Sequence, residues 1–223
     1  MATIVFASSK GGAGKTTAAV TLAFVTSHHG TPTTIIDGDP NRPIARWAER
    51  FPAGVPQNLR IIEALGDGVM EAIDGAATPL TIVDLEGSKN AEVSVGIGRA
   101  DLVLIPLAGS RLDADEATAV IRVVKRQEAA FRRSIPFRLM FTRMSPAIMD
   151  RQARDIYAQF KAAGIPMLEQ PLYERAAYRA PFHVGLGLYQ LKETDARNPV
   201  AAVENAEAVA AEIRGVLAGA ANV

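Results

Sequence analysis

Cysteine is absent from all 223 residues, which excludes a disulfide framework, a cysteine-ligated iron–sulfur cluster and a cysteine nucleophile. Neither sign of charge prevails. The 24 basic residues balance 24 acidic ones, so the chain as a whole does not hold nucleic acid by bulk charge. No apolar run approaches the roughly 18 residues of a membrane-spanning helix. Low-complexity segments, internal repeats and linker-like stretches are missing too, and a single domain over 1–223 is expected. With no secretory leader ahead of the first apolar run, the expected compartment is the cytoplasm.

What is present alternates. Nearly continuous apolar runs fall at 2–7, 33–38, 59–64, 80–85, 101–107, 137–142 and 166–170, the pattern of strands buried on both faces of a parallel sheet. Helix-period segments lie between them at 15–29, 41–51, 67–75, 91–99, 113–133 and 148–163, with a last one at 199–218. Asp113 is the expected cap of the long helix, Gly30 and Gly164 sit where C-terminal glycines belong, and Pro199 suits a first turn. The expected class is α/β: a doubly wound, mostly parallel sheet flanked by helices, with ligands at the carboxyl ends of its strands.

The first strand runs into Ser8-Ser9-Lys10-Gly11-Gly12-Ala13-Gly14-Lys15-Thr16-Thr17 and then into a helix. Glycines let backbone N–H groups crowd around a polyphosphate, and the helix N-terminus adds its positive end. Lys15 would reach the outer phosphates and Thr16 a magnesium ion. The strict pattern G-x-x-x-x-G-K-S/T fails at one point, since Ser9 stands where the first glycine belongs, and a second lysine, Lys10, sits at the mouth of the loop.

Other strand ends carry acids on the same rim. The second ends in Asp37-Gly38-Asp39-Pro40 and the fourth in Asp84-Leu85-Glu86-Gly87. Carboxylates facing a triphosphate hold a metal ion through its waters or orient the attacking water. Asp84 and Asp37 are placed with Thr16 on the metal side, Asp39 on the water, and Gly87 as a backbone reporter of the γ-phosphate. Taken singly, Asp-Gly and Asp-Pro are turn formers. The histidines His28, His29 and His183 lack metal-ligand spacing. Trp47 with Ile44 and Phe51, and Tyr157 with Phe160, fit packing stripes.

Lys10 to Thr17 resembles the deviant Walker A loop of the ParA/MinD superfamily of P-loop NTPases, and Asp37-Gly38-Asp39-Pro40 its D-x-D-P switch loop. Asp101 to Pro106 with Leu112-Asp113, and Glu174-Arg175-Ala176-Ala177-Tyr178, resemble further segments of the same superfamily. The similarity covers essentially the whole chain and is closest to short plasmid-partition ATPases and the VirC-type ATPase of T-DNA transfer. It implies ATP and Mg²⁺ as ligands, slow hydrolysis stimulated by a ParB-like or other partner, and an ATP-dependent homodimer. Lys10 would reach phosphates bound by the second subunit, while Lys15 acts within its own site. Gly11, Gly12, Ala13 and Gly14 would cradle the phosphates, Thr17 would meet the α-phosphate, and Asp39 with Pro40 would form the switch. Adenine would rest near Thr142, Arg143, Pro171 and Leu172. Two departures stand out: Asn41 replaces the usual glutamine, and Glu86 adds a charge beside Asp84.

Between Arg122 and Arg154, nine basic residues face two acidic ones, a local balance of +7. Arg122, Lys125, Arg126, Arg132, Arg133, Arg151 and Arg154 are the candidates for sequence-independent contact with DNA phosphates, which would place the ATP-bound dimer on the nucleoid and let it position a plasmid, chromosome locus or other cargo. The end of the chain, with one basic and one acidic residue after Ala211, lacks the basic amphipathic pattern of a membrane-surface helix. An alternative is an ATP-gated adaptor recruiting a conjugation, chemoreceptor or synthase complex by protein contact. A dethiobiotin-synthetase-like ligase, which shares the loop, is a third reading with no substrate residues to support it.

Overall fold

The computed structural model describes residues 1–9, 11–86, 91–147 and 149–220. Seven strands form one parallel sheet in the order β3-β2-β4-β1-β5-β6-β7. They are β1 (Ala2–Phe6), β2 (Thr33–Gly38), β3 (Leu59–Glu63), β4 (Leu80–Leu85), β5 (Leu102–Leu107), β6 (Phe137–Met144) and β7 (Leu172–Tyr173). The helices are α1 (Lys15–His28), α2 (Pro43–Arg50), α3 (Gly68–Asp74), α4 (Ala91–Arg99), α5 (Arg111–Phe131), α6 (Arg151–Ala162), α7 (Ala176–Val184) and α8 (Pro199–Ala220). Side chains alternate across the pleat. Ile4, Phe6, Ile35, Ile82 and Leu104 pack toward α1, α2, α7 and α8, while Val5, Ile36, Val83, Val103 and Ile105 pack toward α3, α4, α5 and α6. The expected doubly wound sheet is the observed one.

Position in the sheet explains composition. β1 lies between β4 and β5, so the chain leaves the centre of the sheet at Phe6 and enters α1. That helix is buried on several sides, against the sheet, α8, α2 and α7, and Ala18, Ala19, Val20, Leu22, Ala23, Phe24 and Val25 are all core. Trp47 of α2 meets Phe24 edge-on and donates its indole N–H to the Pro181 carbonyl at 3.0 Å, the packing role expected for it. α8 docks through Ala202, Ala206, Val209 and Ile213. Among the described residues, no helix is long and apolar enough to cross a membrane. His29 pairs with Glu207, His28 stacks on Tyr189, and His183 is exposed.

Three expectations need correction. The long helix begins at Arg111, capped by Ser110, with Asp113 closing a reciprocal capping box at the third position instead of serving as the cap. The seventh strand is Leu172–Tyr173, not 166–170, where only an isolated bridge joins Met167 to Leu139. Pro166 and Pro171 flank that run, and proline cannot donate to a ladder. α7 has no counterpart among the expected helices. It contains Pro181 in its interior, and its N-cap residue, Arg175, makes no side-chain cap, so only Gly185 after its last residue marks it in the sequence.

Asn205 of α8 fastens this irregular edge. Its side-chain oxygen accepts from the Tyr173 N–H at 3.0 Å and the Tyr178 hydroxyl at 2.9 Å, and its amide donates to the Pro171 carbonyl at 2.9 Å. Asn205 is buried, and the Tyr178 hydroxyl has the Ala202 carbonyl at 2.8 Å as a second acceptor, so removing Asn205 takes the partner from the Tyr173 N–H and the Pro171 carbonyl. Asn205→Ala should lower unfolding free energy by about 2–3 kcal/mol, read as a lower urea midpoint at unchanged slope. An unchanged midpoint would show that the edge is held by other contacts.

Candidate functional site

The carboxyl ends of the strands surround a cavity of about 510 Å³. Its floor is the glycine loop and the start of α1: Gly11, Gly12, Gly14, Lys15, Thr16 and Thr17. Asp39, Asn41 and Glu86 border one side, and Thr142, Arg143, Leu172, Tyr173, Glu174, Arg175, Tyr178 and Arg179 the other. Gly12 and Gly14 have φ of 88° and 82°, a left-handed conformation that bends the loop back over the helix start. Gly14 caps α1 without a side-chain hydrogen bond, and no acidic residue occupies the first turn. The N–H groups of that turn and the helix dipole therefore favour an anion in the cavity.

Thr142 of β6 holds the loop down. Its hydroxyl donates to the Ala13 carbonyl at 2.8 Å, with the Leu107 carbonyl 3.2 Å away. Expected as an adenine neighbour, Thr142 lines the cavity but commits its hydroxyl to the loop backbone. Arg143, at φ 56°, donates to the Gly12 carbonyl at 3.1 Å and pairs with Glu174 at 3.2 Å. Glu174 also pairs with Arg179 of α7. Leu172 lies in the wall as expected, whereas Pro171 and Ala13 are absent from the lining, and the Pro171 carbonyl faces Asn205. Tyr173 and Arg179 carried no signal in the sequence, because α7, which places Arg179 at the cavity, is itself not legible there.

The acids divide. Thr16 Oγ1 donates to Asp84 Oδ2 at 2.6 Å, although 68 residues separate them. Asp84 is 1% exposed, and its other oxygen, Oδ1, is buried without a hydrogen-bond partner among the described residues. Burial pushes its carboxyl up to about 7, against the opposing pull of Thr16 and Lys15. A buried carboxylate oxygen without a partner beside a hydroxyl is a hard oxygen donor set, and it fits a magnesium ion held with its waters. Asp39 Oδ1 accepts from the backbone and side-chain N–H groups of Asn41 at 2.8 and 2.9 Å, a turn that leaves Asp39 on the cavity border.

Asp37, expected on the metal side, is engaged elsewhere. Its Oδ2 accepts from the Ile44 and Ala45 N–H groups, each at 2.9 Å, and its Oδ1 from the Asp39 N–H at 3.3 Å. α2 has no cap from its own N-terminal residue, Arg42, which sits at φ 53°. Asp37, fully buried at the end of β2, thus caps α2 from the neighbouring strand and fixes the loop bearing Asp39 and Pro40. Pro40 is exposed and outside the cavity lining. The expected roles of Lys10 and Gly87 fall on positions outside the described residues.

The basic stretch also separates. Arg143 belongs to the cavity, Arg133 donates to the Gly98 and Ala100 carbonyls at 2.8 Å, and Arg138 donates to its neighbour's carbonyl. Lys125 pairs with Glu128 at 2.7 Å and Arg151 approaches Asp155 at 4.0 Å. Arg122, Arg126, Arg132 and Arg154 remain exposed with no ion-pair partner among the described residues.

The buried Asp84 has a consequence for stability. Unfolded, an aspartate ionises near 3.8; in the fold Asp84 ionises near 7. Between those values the folded chain keeps a proton that the unfolded chain has released, so stability falls as pH rises through the window and levels above it. Asp37, also raised by burial, acts in the same direction. Without nucleotide or magnesium, Asp84→Asn should therefore gain on the wild type by roughly 1.4 kcal/mol for each pH step of one between about 4.5 and 7, and hold that lead above it. Urea midpoints across that range check it, and a pH-independent gap would refute it.

A family model described as VirC1 protein matches residues 1–217. The chain is 40% identical over 220 residues to Protein ParA of Rhizobium radiobacter, covering 96% of each. It is 27% identical over 191 residues to Protein virC1 of Rhizobium rhizogenes, covering 81% of this chain and 80% of that one. Among solved structures, a plasmid partition protein of Borrelia burgdorferi bound to AMPPNP superposes with a TM-score of 0.70 at 15% identity, covering 96% of this chain and 98% of the other. With the family model spanning residues 1–217 and a relative 40% identical along 96% of both chains, the chain belongs to the VirC1 family, within the ParA/MinD superfamily of P-loop ATPases.

Proposed function

We propose that this chain, as one P-loop domain over 1–223, is a partition-type ATPase whose ATP-bound form is a homodimer that holds DNA without sequence preference and positions a plasmid or other cargo. The observation that carries the nucleotide part is the 2.6 Å contact of Thr16 with Asp84 beneath a cavity floored by the glycine loop. Thr16 and Asp84 would hold Mg²⁺, which would neutralise phosphate charge there. Lys15 and the N–H groups of Gly11 to Thr17 bind and orient the phosphates. Asp39 orients the water that cleaves ATP to ADP and phosphate, with Asp37 holding the Asp39 loop through α2. The name ParA of the 40% identical relative supports the partition reading.

Dimerisation rests on Lys10 and on the family. A lysine that touches phosphates across a subunit boundary makes a contact present with ATP and lost with ADP, and such a difference is what a switch requires. Lys10→Ala should still bind ATP but remain a monomer. Light scattering of the variant with ATP and magnesium checks this, and an ATP-dependent dimer would exclude the trans-acting lysine.

DNA contact rests on the exposed cations of α5 and α6. The commitment of Arg133, Arg138 and Arg143 to other partners thins that face and favours the adaptor reading to that extent. Mobility shifts at stepped salt concentrations separate the two. Binding that requires ATP and weakens steeply with salt, with a log–log slope reduced by about one for each of Arg122→Ala and Arg126→Ala, supports DNA holding. No binding at low salt supports the adaptor.

A further inference from the structure

Ser9 occupies the place of the first glycine in the strict phosphate-loop pattern, immediately before Lys10. Its hydroxyl donates to the Glu116 carboxylate, and the Glu116 backbone carbonyl lies 3.2 Å from the same oxygen. The two residues are 107 apart in the chain, so the contact is a tertiary tie between the entry of the loop and the second turn of α5. A hydroxyl donating to a carboxylate makes a charge-assisted bond, stronger than a neutral one. Ser9, Ala13, Pro106, Glu116 and Ala117 line a space of about 10 Å³, and the Ser9–Glu116 contact at its edge is partly buried.

α5 is one continuous helix from Arg111 to Phe131. Its start is locked by the Ser110–Asp113 capping box, and Ala117, Val120 and Val124 seat one face in the core. Arg122, Lys125 and Arg126 lie exposed further along the same rod, Arg126 about 15 Å from Glu116 at 1.5 Å per residue. Glu116 does not line the nucleotide cavity. A position that only needed backbone freedom would be satisfied by glycine; the hydroxyl is what the carboxylate holds.

We propose that Glu116 is a positioning residue: through Ser9 it transmits the nucleotide-dependent shape of the phosphate loop to α5 and its basic face. This rests on the reading of the loop as the ATP site, and it makes α5 the element by which the nucleotide state reaches the candidate DNA surface. No contact between nucleotide and α5 is required, because the loop is pinned to the helix at its first residue.

Amide hydrogen exchange on the full-length protein tests it without DNA. In the wild type, Mg-ATP should slow exchange both in residues 11–17 and in residues 113–126, the latter by about fivefold, the effect of one hydrogen bond. Ser9→Ala and Glu116→Ala should keep the protection of the loop and lose that of α5. Glu116→Gln, whose amide oxygen still accepts from Ser9, should restore most of it. A wild-type α5 response that persists in Ser9→Ala, or a Glu116→Gln that behaves as Glu116→Ala, would overturn the proposal. Wild-type protection of the loop with none in α5 would overturn it while leaving the ATP site intact; no protection at either place would overturn both. Circular dichroism and thermal midpoints near the wild-type values identify variants that are folded, and Ser9→Gly provides a second loop variant if Ser9→Ala is not.

Discussion

The Thr16 hydroxyl and the buried Asp84 carboxylate meet at 2.6 Å, joining the first turn of α1 to the end of β4. That distance is available only because β1 and β4 are parallel neighbours in register, with Phe6 opposite Asp84, so that the loop leaving β1 folds back over the end of β4. The same contact keeps a carboxylate almost wholly out of water with one oxygen lacking a partner. Such a group is a poor contributor to the stability of a ligand-free protein and a good receptor for a hydrated cation. A cation bound at that oxygen would recover the stability given up there.

Around this contact the cavity is assembled from elements distant in sequence. Thr142 and Arg143 of β6 fasten the loop through its carbonyls, leaving its N–H groups for an anion. The opposite wall depends on β7 and α7, which have weak local signals and are secured by Asn205 of α8. The switch loop is braced differently. Asp37 caps a helix that cannot cap itself, and Trp47 of that helix is hydrogen-bonded to α7. The two sides of the cavity are therefore tied to each other behind it as well as across it. The entry of the loop has its own tie, from Ser9 to α5.

Legibility in the sequence followed the range of the interactions concerned. The first six strands and seven of the eight helices were readable to within a few residues, because burial on both faces of a parallel sheet writes itself as continuous apolar runs and the helices between them keep their own period. The glycine loop, Asp39 and Asp84 were readable as a site, since each follows a strand directly and all strands point the same way. β7 and α7 were not, because prolines at 166 and 171 interrupt the ladder, Pro181 interrupts the helix pattern and Arg175 gives no cap, and the fold there depends on Asn205 instead of local preference. Asp37 was misplaced for a related reason. An acid at a strand end reads the same whether it faces a metal ion or a helix N-terminus, and only the position of α2 separates the two.

What the sequence determined by itself is the chemistry within reach of a few bonds: a phosphate-binding loop, a neighbouring lysine, acids at strand ends, and alternation of strand and helix. These depend on backbone freedom and side-chain type at fixed spacing, which are local properties. The tertiary structure alone decided which acid meets Thr16, which one caps α2, which arginines stay exposed, and that Ser9 is held by Glu116. Each of those contacts joins residues brought together by the order of strands in the sheet or by the docking of a helix on it. Hydrogen bonds and ion pairs act only over a few ångströms, so until that order is known the partners cannot be named.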